Sequence, residues 1–183
     1  KMAEFLLKVP DATGTALFPR LAGASERDAH AATVRVCRMT LALAVACWIA
    51  CGVAGPLVVR LLFGPQYLAA ILPMELMLPG IVTMSLYHIL TRNFTSRNKQ
   101  QVNLVAAVIA LTVNVSLNWV LIPRYGISGA AVSTAVSYSL AAFALLYVFV
   151  RESGYSVAEV VLVRPAEVTE LWRIATRRRR RSA

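Results

Sequence analysis

Acidic residues, histidines and cysteines are scarce in this 183-residue chain: nine Asp and Glu, two His and three Cys. Cys37, Cys47 and Cys51 form no CxxC or Cys/His pattern, so neither a metal cage nor a disulfide framework is expected. They read as small packing residues in or beside an apolar run. The sequence has no nucleophile–base pair, phosphate-cradling glycine loop or metal-ligand spacing, which argues against an enzyme and against a bound cofactor. It opens at Lys1 without a charged–apolar–cleavage-site leader. The chain is therefore expected to begin inside a longer protein.

Apolar residues dominate instead. They make up 58% of the chain, and the mean hydropathy of +0.63 is too high for an ordinary soluble domain. The net charge of +10 would suit nucleic acid, but its distribution does not. Five of the 19 basic residues are the terminal run Arg177, Arg178, Arg179, Arg180 and Arg181, and most others flank apolar segments. With no basic patch interleaved with aromatics, no nucleic-acid partner is expected. The terminal run fits a tail drawn to anionic lipid headgroups.

Four runs are long enough to span a bilayer: 39–59, 68–91, 102–122 and 127–150. The first holds 21 uncharged residues, about 31 Å as a helix. Its Ala46, Ala50 and Ala54, with Cys47, Cys51 and Gly55, make small faces that permit close helix approach. The second contains Pro73, Glu75, Pro79 and Gly80, and a break or kink is expected there. Only Pro123, Arg124, Tyr125 and Gly126 separate the last two runs, so these helices should form an antiparallel hairpin. Gly129, Ser133, Ser137 and Ala141 form a small-residue seam on the final run, suited to packing on its turn-linked partner.

Polar side chains inside these runs are the candidate site residues. Residues 1–18 read as the end of a membrane helix whose start is missing. On it Glu4, Lys8, Asp11 and Thr15 share one face. Lys8 stands eleven residues before Pro19, about 16 Å deep, where a charge needs water or a partner. An ion pair with Glu4 or Asp11 satisfies that need as well as a water-filled cavity does. Glu75 is either an interfacial carboxylate or a proton-coupled one. Asn103, Asn114 and Asn118 share a face, as helix glue or as substrate contacts. Residues 19–38 are expected to be a polar loop or surface helix with a solvated His30, 92–101 a basic loop, and 151–183 a basic tail with short interfacial helices.

Basic residues set the orientation. Fifteen fall on one side of the four runs and two, Arg60 and Arg124, on the other. The positive-inside rule places the crowded side, with the C-terminus, in the cytoplasm.

Three stretches then carry a resemblance: ATGTALFPRLAG (12–23), LLFGPQYLAAILPMELMLPG (61–80) and LIPRYGISGAAVSTAVSY (121–138). Together they resemble the C-terminal half of a polysaccharide flippase of the O-antigen, lipid-linked oligosaccharide type. Such flippases belong to the multidrug/oligosaccharidyl-lipid/polysaccharide exporter superfamily. The resemblance implies an all-α, polytopic membrane helix bundle, the C-terminal part of a two-lobed, MATE-like flippase fold in a bacterial or archaeal plasma membrane. The partners it implies are a lipid-linked glycan and a missing N-terminal lobe. Alternating access would carry an undecaprenyl-diphosphate-linked oligosaccharide from the inner to the outer leaflet. It implies Lys8 as the cation meeting the lipid diphosphate, and Glu75 and Asp11 as coupling carboxylates. Lipid II flippases of the superfamily carry an Arg five residues before the Pro of this first helix. Here Phe5 holds that place, which counts against a peptidoglycan-precursor flippase unless Lys8 substitutes. The alternatives are a cation-coupled multidrug exporter of the same fold and a non-transporting membrane scaffold.

Overall fold

A computed structural model describes residues 26–162. Among these residues every regular element is a helix: α1 (Glu26–Leu62), a 3₁₀ stretch (Pro65–Ala70), α2 (Ile71–Ser96), α3 (Gln100–Ser153) and α4 (Val157–Val161). The stretches Asp28–Leu62, Pro65–Ser96 and Gln100–Ser153 are long and apolar enough to cross a membrane.

The third stretch holds 54 residues. Straight, it would run about 81 Å, far beyond a hydrocarbon core of about 30 Å. Gly126 breaks it, with φ 56° and ψ −132°, a conformation that costs residues with a Cβ dearly. The chain reverses there. A Cβ at Gly129 would stand 2.3 Å from the Leu121 carbonyl oxygen, and at the open end Lys99 Nζ meets Glu152 Oε2 at 2.7 Å. Contacts eight residues apart at one end and 53 apart at the other define an antiparallel hairpin, with its tip in LIPRYG.

The other pairings follow from similar contacts. Antiparallel packing of α1 on α2 brings Asn93 Nδ2 to Thr33 Oγ1 at 2.9 Å, while Gly55 faces Met74 at the opposite end. The second arm of α3 runs parallel to α2. Gly80 abuts the Ala135 backbone, and Thr83 Oγ1 lies 3.0 Å from Ser139 Oγ. The final seam therefore serves two partners: Gly129 admits the turn-linked arm, and Ala135 and Ser139 beside it meet α2. Its hydroxyls bond their own helix, Ser133 to the Gly129 carbonyl at 2.9 Å and Ser137 to that of Ser133 at 2.7 Å.

Burial along α1 runs opposite to its hydropathy. Ala29, Thr33, Val34, Cys37 and Arg38 are buried, while Leu43, Ile49 and Val53 are exposed. Lipid is as apolar as leucine, so the apolar side chains of the second half can face outward, while the polar start is covered by the ends of α2 and α3 and by α4. This corrects the expectation of a solvated His30. It is buried, and its ring centroid lies 5.4 Å from that of Phe149. The expected basic loop at 92–101 shrinks to the turn Arg97–Lys99, closed by Asn98 at φ 59°. Beyond the hairpin, Ser156 and Glu159 form a capping box that starts α4, whose Val160 is fully buried.

Candidate functional site

The expected site residues separate into two groups. Glu4, Lys8, Asp11 and the Arg177–Arg181 run lie outside the described residues. Asn114, Asn118 and Glu75 lie within them.

Asn114 and Asn118 are one turn apart on the first arm of α3, and Asn118 Nδ2 donates to Asn114 Oδ1 at 2.9 Å. Asn118 Oδ1 is buried with no hydrogen-bond partner among the described residues. A buried amide oxygen without a donor is costly, so this pair presents an unsatisfied acceptor beside Trp119 and Ile122. Asn103, on the same arm, serves a different purpose. Its Nδ2 donates to the Thr91 carbonyl at 3.2 Å and to Thr95 Oγ1 at 3.1 Å, tying the arm to α2.

Glu75 sits half-buried in the second turn of α2. Four residues on, Pro79 has no N–H to offer the Glu75 carbonyl. The helix nevertheless continues through Pro79 to Ser96. Thr83 Oγ1 donates to the Gly80 carbonyl at 2.9 Å just beyond. A carboxylate and a proline-released carbonyl thus belong to one residue of a membrane-length helix.

The structure also brings together polar groups that sequence inspection leaves out. Arg38, Thr33 and Asn93 are buried where α1 meets the end of α2. The spacing Ala29, Thr33, Cys37 and Leu41 signals a helical face, but the polar composition of this stretch hides it. Among the described residues no cluster of His, Cys, Asp and Glu could hold a metal ion.

A family model described as "Lipid II flippase MurJ" matches residues 11–175. No curated protein and no solved structure matches the chain. The family match runs against the expectation drawn from Phe5, a position upstream of the matched stretch.

Proposed function

The chain belongs to the lipid II flippase MurJ family, and from that premise we propose that it carries a lipid-linked cell-envelope precursor from the inner to the outer leaflet. The substrate class in this reading is an undecaprenyl-diphosphate glycan, with lipid II as its first member. The observation that carries it is the match over residues 11–175, which takes in every described helix. The step is movement without a chemical reaction, achieved by alternating access. The Arg-rich side of the helices faces the cytoplasm and the Gly126 turn faces outward. Lys8 meets the diphosphate, and Glu75 with Asp11 couples transport to a proton or cation. The Asn114–Asn118 pair adds uncharged hydrogen-bonding capacity inside the membrane.

The test is replacement in cells depleted of their own lipid II flippase. The protein should restore growth and wall synthesis, and Lys8→Ala should lower that rescue. Rescue of an O-antigen flippase deletion with no effect on wall synthesis would move the substrate to surface oligosaccharides. Drug resistance with neither rescue would support the exporter instead. Single-cysteine labelling at Tyr125 tests orientation: a membrane-impermeant reagent should reach it from outside.

A further inference from the structure

At the Gly126 end of the bundle a cleft of about 720 Å³ opens between α1, the 3₁₀ stretch, α2 and the second arm of α3. Val59, Met74, Met77 and Ile127 give it an apolar bed. Gln66, Tyr67, Ser128 and Thr134 supply its polar groups. The volume suits a small ligand or the first units of a long chain, and paired methionines adapt to irregular apolar shapes.

The charges around this cleft are unusual. Arg60 follows Val59, and Arg124 precedes Ile127 by three residues. Both are exposed, and neither has an acidic partner among the described residues. They are the basic residues of that end among the described residues, whereas the opposite end carries Arg35, Arg38, Arg92, Arg97, Lys99 and Arg151. The acid at this end, Glu75, is half-buried and does not line the cleft. Most cations of the described residues thus lie at the opposite end, and the two at this end stand one and three residues in sequence from lining residues of an apolar cleft with a polar rim.

We infer that the cleft is an outer-leaflet docking site for a diphosphate-linked polyprenyl lipid: the first isoprene units lie on the methionine bed while Arg60 and Arg124 take the diphosphate. This inference rests on the flippase reading and extends it to a release station built from residues other than Lys8. An exposed Arg–phosphate pair contributes modestly, but two on one diphosphate reinforce each other. An apolar bed adds affinity only for a lipid whose chain can leave the bilayer's own packing.

The experiment uses the protein in phosphatidylcholine nanodiscs, with a photo-crosslinking residue in place of Tyr67. Undecaprenyl diphosphate is the probe, and phosphatidylglycerol is the competitor. A second label at Val53, on the exposed apolar face of α1, serves as the reference position. Probe capture at position 67 should exceed that at 53 and resist excess phosphatidylglycerol. Arg60→Gln with Arg124→Gln should weaken it about tenfold. Ala70→Trp, which fills the cleft from an exposed lining position, should weaken it with both arginines present. Equal capture at the two positions, displacement by phosphatidylglycerol, or indifference to the double variant would each overturn the site. Because capture is read without transport, binding in a protein that fails every flippase assay would sink the flippase reading and leave the site standing.

Discussion

Replacing Gly80 by alanine should disturb this bundle more than its size suggests. The added Cβ would lie 2.4 Å from Ala135 Cα, 3.0 Å from its Cβ and 3.1 Å from its carbonyl oxygen. Carbon contacts settle near 3.5–4.0 Å, and a backbone atom cannot rotate away, so α2 and the second arm of α3 must part by roughly 1 Å. That shift takes the Thr83–Ser139 contact, now 3.0 Å, out of hydrogen-bonding range. Overpacking costs about 1–3 kcal/mol and the lost interhelical bond about 0.6 kcal/mol, while alanine's helix propensity returns up to about 1 kcal/mol. With the full propensity gain the net expectation is a loss of about 0.6–2.6 kcal/mol. Gly52→Ala is the control, since nothing lies within 4 Å of its added Cβ. It should be neutral or stabilise by up to about 1 kcal/mol. Equilibrium unfolding in mixed detergent micelles measures both. Ser139→Ala should cost about 0.6 kcal/mol in the parent and nothing in the Gly80→Ala background. Equal stability of the two glycine variants, or a full Ser139 effect in both backgrounds, would refute close packing at this seam.

Three further outcomes follow from the same geometry. Gly129→Ala should destabilise the hairpin strongly, because its Cβ would meet the Leu121 carbonyl oxygen at 2.3 Å; the same unfolding measurement reads it. Lys99→Ala should cost under about 1 kcal/mol and lose its effect in high salt, since the Lys99–Glu152 pair is partly exposed. Asn118→Leu should leave stability near that of the parent, because it removes a buried oxygen without a partner along with the bond to Asn114. The same variant should lower transport if that pair contacts substrate or ion.

The hairpin was legible because its signals are local. Two uncharged runs, a proline and a glycine leave the chain one way to turn, and Gly126 turns it. The helix class was legible from hydropathy for the same reason. Helix partners were not, because they rest on approach distances between residues far apart in sequence. Nothing in Gly80 or Thr83 points to Ala135 or Ser139 until the helices are side by side. The polar start of α1 reads as surface because its composition is that of a solvated stretch, whereas the ends of α2 and α3 and the short α4 pack over it, which only the tertiary arrangement reveals. Glu75 and Asn118 stood out as polar groups in apolar runs, yet sequence could not say that Glu75 is only half-buried or that Asn118 bonds Asn114.

The most direct test of the proposed function follows lipid II itself. Spheroplasts depleted of their own flippase and supplied with this protein are treated with a membrane-impermeant enzyme that cleaves lipid II, and the cleaved fraction reports outer-leaflet exposure. Cleavage should return with the protein and fall again with Lys8→Ala. Lipid II that stays protected while the protein is folded and inserted would contradict the proposed function.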